Sequence, residues 1–247
     1  MPAYGIAANQ IVISDAGLVM LQEFLRHRIP LESYLDGSYP GALIPRSTDP
    51  ETRKLLERDC IRPYTSYPDI GAANRLLEVG QAYQAKVVIR HPRHLNIRDF
   101  ETGSFILLGG PLADPWYRLF ESQLNFVFET DLDTGNVLIR NKSPQRGERQ
   151  TYAPGAEPIA TDFAIIAVLL NLRATGNVLL LAGTAMQGTE AAGDMVTPDV
   201  LPADLLEIVK LAKNPTDSIE ALLETQVTAG VPREAKVVAY RIHPAVR

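Results

Sequence analysis

Two glycine-bearing turns hold most of the residues whose types and spacing could do chemistry. Gly109-Gly110-Pro111 leads into Asp114-Pro115, and Gly183-Thr184-Ala185-Met186-Gln187-Gly188 leads into Thr189-Glu190. Free backbone N–H groups at a helix start attract an anion, because the helix dipole adds partial positive charge there. Gly109, Gly110 and Asp114 are therefore candidate ligand contacts. The same residues equally make a tight turn into a helix capped by Asp114, with Pro115 at the first helical position. A carboxylate already at the cap weakens the case for an anion. No Gly-Lys-Ser/Thr follows to make a phosphate loop, and the third glycine of a dinucleotide fingerprint is missing.

In the second turn the hydroxyls of Thr184 and Thr189 join the amides around Gly183 and Gly188. That combination suits a phosphate, a carboxylate or a sugar oxygen. A helix cap closed by Thr189 or Gly188 uses the same residues with no ligand. Glu190, near the next helix start, and Asp15, at the end of the first strand, are the carboxylates that could act as acid or base. Asp15 could instead hold a hydroxyl or an amine, or cap a helix. Thr65 and Ser66, in Tyr64-Thr65-Ser66, are the next candidates for the wall of the same cleft.

Other chemistries find little support. His91 and His94 could share a metal, but zinc takes three or four ligands and nothing in the sequence completes a set, so no metal or cofactor is expected. No Gly-x-Ser-x-Gly elbow is present. Asp131 and Asp133 sit where a hairpin turn favours Asp. Arg146 and Arg149, on a long loop over 143–158, either close over an anion or are solvated. Cys60 is the only cysteine, which excludes an intrachain disulfide.

The elements that must position these residues follow from periodicity. Phe105–Leu108 is a buried strand before the first turn, and Val178–Leu181 plays the same part for the second. Asn9–Ser14 predicts a strand before Asp15, with a helix over Ala16–Leu25 behind it. Helices are expected again from Asp49-Pro50, over Asp69–Tyr83, over Asp114–Gln123, over Thr189–Val196 and over Pro202–Lys213. Lys86–Arg90 and Phe163–Leu170 read as strands, and Ala42–Pro45 as a brief extended piece. Residues 125–129 and 136–140 make a hairpin around Asp133-Thr134-Gly135-Asn136. Ile219, Ala221, Leu223, Thr225 and Val227 alternate with mostly polar residues, so 218–227 is read as a strand paired with 236–242. Helix is the competing reading there.

These elements predict an α/β fold: a mixed, largely parallel central sheet with helices on both faces and an added antiparallel hairpin. One domain spans 1–247, with 1–8 a loose lead-in. Three strand-to-helix turns place a cleft at the carboxyl ends of sheet strands. A net charge of −5 offers no basic surface for phosphates, so no nucleic acid is expected to bind this chain itself. No run reaches the roughly 18 apolar residues of a spanning helix and no signal peptide opens the chain, so it reads as cytoplasmic and off the membrane.

Several phrases together carry a resemblance: Ser14-Asp-Ala-Gly17, Leu31-Glu-Ser-Tyr-Leu35 with Tyr39-Pro40, Tyr64-Thr-Ser-Tyr67, Leu108-Gly-Gly-Pro-Leu-Ala-Asp-Pro-Trp116, Leu124-Asn125-Phe126, and Ala182-Gly-Thr184 with Gly188-Thr-Glu-Ala-Ala192. The set, spanning residues 10–242, resembles the C-terminal α/β, Rossmann-like region of predicted bacterial regulators that carry a DNA-binding helix-turn-helix domain ahead of it. No helix-turn-helix head is recognisable here, and Asp114 stands where the resemblance leads one to expect Asn. The resemblance implies a regulatory domain that binds a polar or anionic small molecule, with a separate DNA-binding domain as a companion. The alternatives are an enzyme on a nucleotide or sugar derivative, using Asp15 or Glu190, and an oligomerisation or interaction domain, for which a homodimer is one form.

Overall fold

The structure, a computed structural model, describes residues 10–60, 62–155 and 160–244. The lead-in expected over 1–8 lies outside these residues. Strand β1 (Gln10–Val12) runs into helix α1 (Ala16–Leu25), whose predicted span is observed. Helices α2 (Leu31–Asp36) and α3 (Tyr39–Leu43) follow. α3 runs into the extended piece expected over Ala42–Pro45, and Tyr39 at its start is buried with its ring stacked on Tyr34 at 5.7 Å. α4 (Pro50–Cys60) starts at the predicted cap, with the Asp49 carboxylate accepting the Thr52 N–H at 2.9 Å. α5 (Tyr67–Ala82) is capped by Ser66, three residues before the predicted Asp69 start.

β2 (Val88–Arg90) and β3 (Phe105–Leu108) come next. Two 3-10 helices, Pro115–Leu119 and Glu121–Gln123, stand where an α-helix over Asp114–Gln123 is expected. Each backbone bond there spans three residues, as in Phe120 N–H to Tyr117 O at 3.0 Å. Trp116, Tyr117 and Phe120 are all fully buried in this segment, so tertiary packing overrides the helical period.

The remaining elements are β4 (Phe126–Asp131), β5 (Asn136–Asn141), β6 (Thr151–Tyr152), β7 (Ala160–Leu170), β8 (Asn177–Gly183), α6 (Met186–Val196), α7 (Ala203–Leu211), β9 (Ser218–Thr228), β10 (Val231–Pro232) and β11 (Lys236–His243). Among the described residues the main sheet has eight strands, in the order β10-β9-β7-β8-β3-β1-β2 with β11 also paired to β9. Pairs β2–β1, β1–β3 and β3–β8 are parallel; β8–β7, β7–β9, β9–β11 and β9–β10 are antiparallel. The sheet is thus parallel at one end only, which corrects the largely parallel expectation. The strand reading of 218–227 and its partner over 236–242 holds.

The hairpin is not added to this sheet. β4, β5 and β6 form a separate three-stranded antiparallel sheet. Successive residues of a strand face opposite sides, and the two sides meet different layers. Ile106, Leu108, Leu179 and Leu181 pack with Ala72, Leu76, Ala192, Met195, Leu205 and Ile208 of α5, α6 and α7. Phe105, Leu107, Val178 and Leu180 pack with Phe100, Trp116, Phe120 and with Phe126 and Ile139 of the small sheet. Helices therefore cover one face, while 3-10 turns and the small sheet cover the other. This departs from the helices-on-both-faces expectation. A third cluster joins α1, α2 and α3 through Leu18, Leu21, Ile29, Tyr34 and Tyr39.

Candidate functional site

The carboxyl ends of β2, β1, β3 and β8 lie side by side, because Val12 is in register with Arg90 and Leu107, and Leu108 with Leu181. The turns after these strands carry His91, Asp15, Gly109–Asp114 and Gly183–Glu190. At the first, Asp15 is fully buried and heavily bonded. Its Oδ1 accepts the Leu18 N–H at 3.0 Å, capping α1, and the Tyr34 hydroxyl donates to Oδ2 at 3.0 Å. Arg93 donates to both oxygens, from Nε at 2.7 Å and Nη2 at 3.0 Å. Burial works against the Arg93 charge, yet the Asp15 hydrogen bond and charge lift the guanidinium above its ordinary value. Burial pushes the Tyr34 phenol far up, with Asp15 adding to it.

Thr65 and Ser66 join the same cluster. Asp69, nearly fully buried, accepts the Ser14 N–H at 3.0 Å and the Thr65 hydroxyl at 3.4 Å. Ser66 caps α5 by accepting the Asp69 N–H at 3.2 Å. Gly109 has φ +103°, and a Cβ there would lie 3.4 Å from the Ser14 Cβ. A Cβ on Gly110 would lie 3.3 Å from the Gly183 carbonyl, so the β1, β3 and β8 turns meet at these glycines.

Asp114 is fully buried. Its Oδ1 accepts the Trp116 N–H at 2.9 Å, while Oδ2 has no partner among the described residues. Burial holds this carboxyl well above the usual carboxylate range, and the charges of Asp69 and Asp15 push the same way. Asp114 is thus shifted towards its neutral form. His91 is buried too, and burial lowers its pKa, opposed by Asp15 and the Tyr64 carbonyl. Its Nδ1 accepts the Arg93 N–H at 3.4 Å, which puts the ring proton on Nε2. That Nε2 is shielded and makes no hydrogen bond of full geometry among the described residues, although the Tyr64 carbonyl is close enough to raise the His91 pKa. The Tyr64 carbonyl already takes the Ala16 N–H at 3.0 Å.

The β8 turn is closed on itself. The Gly183 N–H donates to Thr189 Oγ1 at 3.0 Å and the Thr184 N–H to the Phe163 carbonyl at 2.8 Å. Asp162 of β7 accepts the Thr184 hydroxyl at one oxygen and the Gly188 N–H at the other, the latter at 2.6 Å. Burial pushes the Asp162 carboxyl up, although these hydrogen bonds pull against it. Glu190 lies on α6, where burial and Asp194 raise its pKa and Arg75 opposes them. Its charged neighbours are therefore on α5 and α6 rather than at Asp15.

Arg146 and Arg149 are exposed, and the loop carrying them is held by Glu148 on Arg241 of β11, with contacts of 2.8 and 2.5 Å. His91 and His94 lie 5.9 Å apart between ring centroids, but among the described residues no group of three or more His, Cys, Asp or Glu is placed to hold a metal. An open depression lined by Gln10, Asn96, Arg98 and Thr102 sits at the amino end of β1, away from the cluster. No described helix is long and apolar enough to cross a membrane.

Sequence reasoning missed Tyr34, Asp69, Arg93 and Asp162 as members of these turns. Asp162 left a signal: a charge inside an apolar strand needs a buried partner. Arg93 left none, being 78 residues from Asp15. No family model matches the sequence, and a search of curated proteins returns no match.

Proposed function

We propose that this chain is a regulatory domain that binds a small, oxygen-rich molecule in the cluster around Asp15, Asp114 and His91. One observation carries the reading: Asp114 Oδ2 is buried and unpartnered among the described residues, and the shielded His91 ring lies with it within the electrostatic reach of Asp15. A neutral carboxyl and an Nε2–H are both donors, so the ligand must bring acceptor oxygens. Asp15 and Asp69 repel a net negative charge, which favours a sugar, polyol or amide over an anion. The loop Tyr64–Ser66 covers the cluster, with Tyr64 38% exposed and Thr65 half-buried, and is the segment that opens for entry. The regulatory role, and a companion DNA-binding domain, rest on the resemblance of the phrases quoted above.

A thermal-shift panel of sugars, polyols and amides tests the reading on the wild type, Asp114→Asn and Asp114→Ala. Asn keeps an N–H donor at the Oδ2 position, so the ligand's shift survives in Asp114→Asn and disappears in Asp114→Ala. A panel with no shift, or one equal in all three proteins, rejects the site.

An interaction domain is the second reading. β2 is an edge strand, and Val88 and Ile89 stand 41% and 37% exposed on it. A second copy of the chain is the partner this reading takes, and sedimentation at rising concentration decides it. The enzyme reading has less behind it, since both Asp15 oxygens are occupied by Arg93, Tyr34 and the Leu18 amide.

A further inference from the structure

Away from the Asp15 cluster, two arginines lie within electrostatic reach of each other, each with one buried N–H unpaired among the described residues. Arg28 sits in the connection between α1 and α2, and its Nη2 donates to Thr130 Oγ1 of β4 at 2.8 Å. Arg118 lies on the 3-10 helix Pro115–Leu119, which contacts α2. Thr130 and Phe128 share one side of β4, and Tyr117, next to Arg118, packs edge-on against Phe128 at 5.6 Å. The connection and the 3-10 helix therefore both pack on this side of β4.

Arg28 Nε and Arg118 Nη2 are both shielded from solvent and have no hydrogen-bond partner among the described residues. A guanidinium N–H left unpaired in a protein interior is costly, and an unfilled ion site is one standard cause. Burial lowers the Arg28 pKa, Arg118 lowers it further, and Glu121 is the charge that opposes them. Two like charges with one nearby counter-charge leave room for an anion.

We propose that Arg28 and Arg118 together bind a phosphate-like oxyanion between the α1–α2 connection and the 3-10 helix. Two guanidinium groups offer forked donors matched to the oxygens of a phosphoryl group. The site is separate from the Asp15 cluster but connected to it. The Ile29 N–H donates to Gln22 Oε1 at 3.1 Å, and Gln22 Nε2 donates to the Leu112 carbonyl in the β3 turn at 2.8 Å. An anion that fixes Arg28 therefore also steadies the turn carrying Asp114.

The test compares melting of the whole chain in potassium phosphate and in potassium chloride at matched ionic strength. With phosphate near a hundred times its dissociation constant, the wild type gains about 5 °C. Arg118→Gln keeps the Arg28–Thr130 bond, melts in chloride at or above the wild type, and loses the phosphate gain. Glu121→Gln removes the competing carboxylate and enlarges the gain. Should Arg118→Gln fail to fold, Arg118→Lys keeps the charge without the fork, and its gain falls below the wild type's. Glycerol phosphate run in parallel separates the sources: a larger gain than with inorganic phosphate assigns a phosphomonoester, and an equal or smaller one assigns free phosphate. Equal melting in phosphate and chloride, or a full gain in Arg118→Gln or Arg118→Lys, overturns the site.

Discussion

Arg93 grips Asp15 with both edges of its fork, Nε at 2.7 Å from Oδ2 and Nη2 at 3.0 Å from Oδ1. Asp15 is fully buried, and the Arg93 side chain is 18% exposed. The pair fastens the turn after β1 to the segment after β2, and Tyr34 ties α2 to the same carboxylate. Removing one member strands the other charge in the interior. Arg93→Ala is expected to cost about 3–5 kcal/mol in urea unfolding. The double variant Asp15→Asn/Arg93→Ala should cost clearly less than the two single changes summed. Additive losses would mean that the pair carries no coupling.

Gly183 gives a sharper steric case. A ligand-lined turn would tolerate a side chain there with the fold intact. The backbone says otherwise: a Cβ would lie 2.4 Å from both the Ala185 carbonyl oxygen and the Thr189 nitrogen. Gly183→Ala is therefore expected to destabilise the protein by more than about 3 kcal/mol. Gly135→Ala is the control, at φ +72° with open space around it, and should cost about 1 kcal/mol. Similar melting temperatures for the two variants would contradict the packing of the β8 turn.

These two sites also mark how far the residues could be read. Asp15 as a cap, Phe105–Leu108 as a buried strand and the alternation of Ile219, Ala221 and Leu223 were legible, because caps and periodicity are local signals. The Asp162–Thr184 bond and the Asp15–Arg93 fork join residues 22 and 78 positions apart, and no local pattern encodes them. The 3-10 form of Pro115–Leu119 was hidden for a related reason. Burial of Trp116 and Tyr117 under the small sheet decides it, and the sequence does not say that β4–β6 stand apart from the main sheet.

Asp114 makes a pH prediction whose sign is fixed by its raised pKa. A carboxyl with a higher pKa folded than unfolded binds more protons in the native state. Its favourable contribution is complete below the unfolded value and is lost as pH rises through the folded one. Asp114→Asn removes that loss. The variant should gain on the wild type as pH rises from about 4, the ordinary Asp range, towards the folded pKa. A stability difference constant across that window would show an Asp114 titrating as in the unfolded chain.

Glu148 behaves in the opposite sense. The Arg241 hydrogen bond, with the Gln145 amide and Asn141 assisting against desolvation, holds its carboxyl at about 2. A depressed pKa contributes stability above the unfolded value that is lost as pH falls through the folded one. Wild type should exceed Glu148→Gln in stability at neutral pH, with the gap closing between about 4.5 and about 2 in acid titration. A gap that persists at the acid end would assign the difference to packing of the loop rather than to charge.

Tyr117 is fully buried, its hydroxyl has no partner among the described residues, and it packs edge-on against Phe128 at 5.6 Å. Burial pushes its phenol far above the ordinary value, with Glu121 and Glu220 adding to the effect, so it remains neutral. An unpaired buried hydroxyl costs free energy that an apolar ring of the same shape avoids, while the ring contact with Phe128 remains. Tyr117→Phe is therefore expected to be neutral or to stabilise the chain by about 1 kcal/mol. Destabilisation by a comparable amount would overturn that expectation and assign the hydroxyl a bound water. Chemical unfolding of this one variant separates the two cases by sign, which is more decisive than magnitude for a single oxygen atom.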